Sequence, residues 1–167
     1  MRIVLIVFCL VPFLALASCG DNGGARTPSE DVEFLKRNAL EDDVTVTPTG
    51  LQYKILQEGE GASPDLGDMV LTHYEGKLVD GRIFDSSYGR NEPSEFQLGR
   101  VVRGWNEALQ LMGIGDIWEL YIPSHLGYGM QPQPGSIIYP NATLIFKVEL
   151  LAINGNDGNP DGENPEK

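Results

Sequence analysis

Past residue 50 the chain alternates between short runs of apolar and polar positions. Residues 51–56 follow a Pro48-Thr49-Gly50 turn and alternate well enough to predict a strand. Met69–Leu78 predicts a second strand, closed by the turn dipeptide Asp80-Gly81, and residues 95–98 a short third. Trp105, Ala108, Leu109 and Met112 fall at i, i+3, i+4 and i+7, one face of a helix, with Gly104 before it and Gly113 after it. Residues 116–122 set Ile117, Glu119 and Tyr121 against Trp118, Leu120 and Ile122, a strand with little polar relief on either face. In the last strand, 143–152, Leu144, Phe146, Val148 and Leu150 share one face, and Lys147 and Glu149 take the other. Strands in the majority around a single helix imply an α+β fold, a sheet wrapped over that helix.

The same region carries an ordered set of short motifs. They are His73-Tyr74-Glu75-Gly76, Gly81-Arg82-Ile83-Phe84-Asp85-Ser86-Ser87, Leu98-Gly99, Gly104-Trp105, Tyr128-Gly129, and the run from Ile137 through Pro140-Asn141 to Phe146. Phe-Asp-Ser-Ser or Gly-Trp alone is common, but all of them in one order, over residues 51–153, resemble the FKBP-type peptidyl-prolyl isomerases. That resemblance implies a twisted antiparallel sheet over one central helix. It also implies a cup for a proline ring walled by Tyr74, Phe84, Phe96, Val101, Val102, Ile138 and Phe146, with Trp105 as its floor. In the same terms Tyr128 would donate its hydroxyl to a substrate carbonyl, and Asp85 would accept hydrogen bonds inside the pocket. Asp85, Tyr128, Phe84 and Trp105 are the expected catalytic set, and rapamycin-type macrolides the expected inhibitors. Two positions depart from the usual pattern. Ser94 stands where many members carry a rim aromatic, and Tyr139 replaces the first proline of a frequent Ile-Pro-Pro turn.

Conventional catalytic groups are sparse, and for this reaction that is no objection. His73 and His125 are the only histidines, neither in a metal-ligand spacing, so no metal or cofactor is expected. Rotation about an X-Pro bond makes and breaks no covalent bond, and an apolar, water-poor pocket favours the twisted amide over the planar one. Taken singly, each residue has a plainer reading: Phe146 and Trp105 as core, Asp85-Ser86-Ser87 and Tyr128-Gly129 as turns. A peptide-binding module or chaperone using the same cup without turnover remains the alternative, as does a subunit of an envelope assembly.

The termini read differently. Arg2 precedes an apolar run over residues 3–17, the length of a signal-peptide core rather than of a membrane span. It ends in Leu16-Ala17-Ser18-Cys19, which resembles the lipobox of bacterial lipoproteins and would make Cys19 the lipidated first residue of the mature chain. An ordinary secretory signal is the other reading. With Cys9 removed, Cys19 would be left without a disulfide partner, and a thioether suits it better than a free thiol. Gly20 after the cysteine favours the outer membrane, facing the periplasm. Residues 20–26 read as a tether. Thr27, Pro28 and Glu30 spell a capping box opening a helix to about residue 40, with Val32, Phe34, Leu35 and Ala39 as its apolar stripe. Dimerising FKBP relatives carry a longer helical region, so a monomer is expected. Residues 154–167 lack apolar side chains and read as a disordered tail; the half EF-hand pattern at 157–162 lacks its closing Glu. The expected divisions are thus 1–18, 19–47, 48–153 and 154–167. A net charge of −12 argues against nucleic acid, and the family resemblance implies proline-containing unfolded or extended polypeptides as the partners.

Overall fold

The computed structural model describes residues 27–132 and 134–154. The expectations for the leader, Cys19, the tether and the tail fall outside the described residues. Helix α1 (Pro28–Asn38) is followed by strands β1 (Thr45–Val46), β2 (Gln52–Gln57), β3 (Met69–Leu78) and β4 (Ile83–Ser86). A one-turn helix α2 (Ser87–Arg90), strand β5 (Ser94–Gln97), helix α3 (Arg103–Leu111) and strands β6 (Ile117–Ile122) and β7 (Leu144–Asn154) complete the body. All pairings are antiparallel, in the order β1-β2-β6-β7-β3-β4, with β5 also on β3.

The central pair is β3 with β7, in register from Met69 opposite Asn154 to Leu78 opposite Leu144. Along β3 every second residue, from Val70 to Leu78, is buried, as a strand with one core face requires. The free edge of β3 is divided. β5 pairs with Met69 to Thr72, β4 with Glu75 to Lys77, and α2 sits where neither strand reaches. There Ser87 Oγ takes over the ladder's work, accepting from Tyr74 N–H at 2.8 Å and donating to Tyr74 C=O at 3.2 Å. Ser86 caps α2 by accepting from Gly89 N–H. Asp85-Ser86-Ser87 is therefore the end of a strand and a helix start.

Helix α3 buries Trp105, Ala108 and Leu109 against the inner face of the sheet. It packs close because residue 104 is glycine: a Cβ there would stand 2.7 Å from Ile122. The apolar outer positions of β6 also find cover. Phe34 of α1 lies 5.9 Å, centroid to centroid, from Tyr121, so both faces of that strand are buried at this point.

The cap of α1 forms as the sequence implies, Glu30 reaching back to accept from Thr27 N–H at 2.6 Å. Of the expected stripe, Phe34, Leu35 and Ala39 are partly buried, and Val32 departs from it. Val32 is half exposed, and the buried residue of the helix is Asp31, whose carboxylate accepts from Thr143 N–H at 2.6 Å. Gln52 ties down the other end, donating to Leu35 C=O at 2.9 Å and accepting from Asn38 at 2.8 Å.

Candidate active site

The divided edge of β3 leaves an opening over its inner face, and aromatic side chains from five elements converge there. β3 supplies Tyr74, β4 Phe84 and Asp85, β5 Phe96, α3 Trp105 and β7 Phe146. Val101 and Val102 come from the segment entering α3, and Tyr128 and Ile138 from the long connection between β6 and β7. All ten residues singled out in the sequence for this site line one cavity of about 330 Å³; Arg100 and Ser136, not anticipated, line it too. Ser94 does not line it.

The floor is an edge-to-face cluster. Trp105 meets Tyr74 at 5.4 Å, Phe96 at 5.2 Å and Phe146 at 5.2 Å, with interplanar angles between 76° and 86°. Phe84 meets Phe146 at 5.4 Å and 83°. Such pairs add about 0.5–1.5 kcal/mol beyond their buried area and fix ring orientation. Gly76 makes the last of them possible, since a Cβ there would stand 2.6 Å from Phe84 and 2.7 Å from Phe146.

One polar network lies in this apolar wall. The Tyr74 hydroxyl donates to Asp85 Oδ2 at 2.5 Å, and Arg90 donates to Asp85 Oδ1 at 2.5 Å and to the Tyr74 hydroxyl at 2.9 Å. A longer bond of 3.3 Å runs from Arg90 to Ser94 Oγ. Partial burial pushes the Asp85 carboxyl up, but the Tyr74 hydroxyl and the Arg90 guanidinium outweigh it and hold the group below the usual carboxylate range. Burial, and then the hydrogen bond to Asp85, raise the Tyr74 phenol. Burial, and then the charge of Asp85, raise Tyr128. Near neutral pH the site therefore holds one fixed carboxylate and two phenols that keep their protons. Sequence reasoning missed Arg90. The available signal was a basic residue one helical turn beyond the Ser86 cap, where α2 returns its side chain to Asp85.

The fold is thus an antiparallel sheet wrapped over a helix, with an aromatic cup opening beside an interrupted edge. Residues 60–151 match the FKBP-type peptidyl-prolyl cis-trans isomerases. The chain is 50% identical over 120 residues to the peptidyl-prolyl cis-trans isomerase Mip of Coxiella burnetii, covering 72% of this chain and 52% of that one. It is 45% identical over 120 residues to the outer membrane protein MIP of Legionella longbeachae, covering 72% and 51%. The crystal structure of FkpA from Escherichia coli superposes with a TM-score of 0.72 at 40% identity, covering 76% of this chain and 59% of that one. The chain belongs to the FKBP-type peptidyl-prolyl cis-trans isomerase family, and it spans about half the length of the curated relatives it matches.

Proposed function

We propose that the protein is a prolyl isomerase that binds the twisted X-Pro bond of unfolded or extended polypeptides in this cup. The observation that carries the proposal is the convergence of Tyr74, Phe84, Phe96, Trp105, Ile138 and Phe146 on one cavity, with Asp85 held as a carboxylate at its side. The barrier to rotating a peptide bond is about 18–20 kcal/mol and comes from amide resonance. A planar amide carries more charge separation than a twisted one, so moving the bond from water into an apolar cup costs the planar ground state more. Each ~1.4 kcal/mol of that difference is worth tenfold in rate. Phe84, Phe146 and Trp105 desolvate the proline ring. Tyr128 donates to a carbonyl of the bound peptide, and Asp85, braced by Tyr74 and Arg90, orients the strained segment.

The Leu16-Ala17-Ser18-Cys19 sequence supports a lipid anchor on Cys19, and a relative named as an outer membrane protein supports a bacterial envelope location; Gly20 after the cysteine favours the outer membrane, facing the periplasm. In this reading the monomeric domain works within a few nanometres of the membrane, and its cup accepts rapamycin-type macrolides. A protease-coupled assay on an Ala-Leu-Pro-Phe peptide tests the activity. Turnover inhibited by rapamycin is expected; peptide binding without turnover would make the protein a chaperone-type clamp. Labelling with radioactive palmitate tests the anchor, and label should be lost in Cys19→Ser.

A further inference from the structure

Helix α1 precedes the sheet, yet its one buried side chain reaches the cavity's loop. Asp31 is 1% exposed, and both its oxygens lie 2.8 Å from the Tyr139 hydroxyl, which donates to it. Asp31 Oδ2 also accepts from Thr143 N–H at 2.6 Å. Tyr139 directly follows Ile138, a wall of the cavity, and its carbonyl accepts from Ala142 N–H at 3.1 Å. Asp31 thus grips the loop at two points, 139 and 143, on the C-terminal side of that wall. Burying a carboxylate costs more than burying any neutral side chain, and these charge-assisted bonds are the compensation that ties helix to loop. The helix is in turn fixed to the sheet through Gln52 and Phe34, so the grip has a rigid base.

We propose that Asp31 is a positioning residue for the cavity: through the Tyr139 hydroxyl it sets where Ile138 stands, and so how tightly the cup closes on the residue beside proline. The inference rests on the isomerase reading of that cavity. It makes the segment before the domain part of the binding machinery rather than a spacer.

The test uses the full-length protein in detergent micelles. The variants are Asp31→Ala, Asp31→Asn, Tyr139→Phe, the Asp31→Ala/Tyr139→Phe pair, and Glu33→Gln as a control on the exposed face of the same helix. Peptides with Leu or Gly before proline are compared. Asp31→Ala and Tyr139→Phe should each raise KM for the Leu peptide by roughly three- to tenfold, the range one lost hydrogen bond supports, with less effect on the Gly peptide and with kcat nearly unchanged. The pair should be no worse than Asp31→Ala alone, because both act through one link. Asp31→Asn, which can still bond both partners, should recover part of the loss. The Ile138 methyl resonance should move in Asp31→Ala and Tyr139→Phe and stay in place in Glu33→Gln. If Asp31→Ala fails to fold, Tyr139→Phe decides, since it keeps the ring and the Thr143 bond. Folded variants with wild-type KM on both peptides and an unmoved Ile138 methyl would overturn the proposal. Wild-type protein without turnover would overturn the isomerase reading instead, and the methyl resonance would still report on the grip.

Discussion

The two sides of the cavity are built by different means. The floor, made by Tyr74, Phe84, Phe96, Trp105 and Phe146, rests on strands and on the first turn of α3, and its rings lock one another edge to face. The opposite side, with Tyr128 and Ile138, belongs to a long connection held by scattered bonds. Asn141 N–H donates to Gly129 C=O at 2.7 Å, Ile138 N–H to Ser136 Oγ at 3.1 Å, and the loop's far end is gripped by Asp31. In the proposed reading the rigid floor desolvates the proline ring and the loop side meets the variable flanks of the peptide. Perturbing the floor should therefore cost stability and activity together, whereas perturbing the loop side should cost binding alone.

Trp105→Ala is the most severe break of that contrast. It removes three ring contacts and leaves a cavity, so unfolding in denaturant should show a loss of about 3–5 kcal/mol, with isomerase activity gone. Gly76→Ala comes next. Its methyl would meet Phe84 and Phe146 well inside van der Waals distance, and overpacking of this kind costs about 1–3 kcal/mol. The measurement to make is the denaturation midpoint alongside kcat/KM, and both should fall.

Arg90→Met sharpens the comparison by disturbing the polar brace alone. In the wild type Asp85 sits below its ordinary range, so its stabilising contribution is complete above the unfolded carboxylate pKa and is lost only as pH falls through the depressed folded value. Without the guanidinium the folded value should rise toward the unfolded one, so that this contribution shrinks, visible as an upward shift of the Asp85 carboxyl titration by NMR. The proposed mechanism uses no general acid or base, so kcat/KM of the wild type should stay nearly flat from about pH 6 to 8. A bell-shaped profile following His73 or His125 would contradict a mechanism of shape and desolvation.

Tyr128→Phe should have the smallest effect of the four. It removes one hydrogen bond worth about 0.5–1.5 kcal/mol, up to roughly tenfold in kcat/KM, and leaves the melting temperature in place. Complete loss of turnover in that variant would raise Tyr128 from auxiliary to essential.

The main strands and the central helix were legible without coordinates because periodicity is local, and the cavity residues were legible through the family resemblance of their motifs. The alternation in β3 and β7 and the i, i+3, i+4, i+7 face of α3 each report which side of one element is buried, and the family motifs lie on those elements. The brief pairings were not legible. β1 has two residues, too few for a pattern, β4 runs into Asp85-Ser86-Ser87, which reads as a turn, and the helical turn α2 looks like any serine-containing turn until β3 supplies the backbone that Ser87 bonds.

Sequence alone determined the α+β class, the main strands and central helix, the cap of α1 and the ten cavity residues. Tertiary structure alone decided that Arg90 braces Asp85, that Arg100 and Ser136 join the wall, and that α1 buries Asp31 in place of Val32. The physical reason is separation along the chain. Asp31 meets partners 108 and 112 residues away, and no periodicity within a helix records which polar group will face it across such a distance. Once those partners are in place, their hydrogen bonds outweigh the preference of an apolar stripe for the interior.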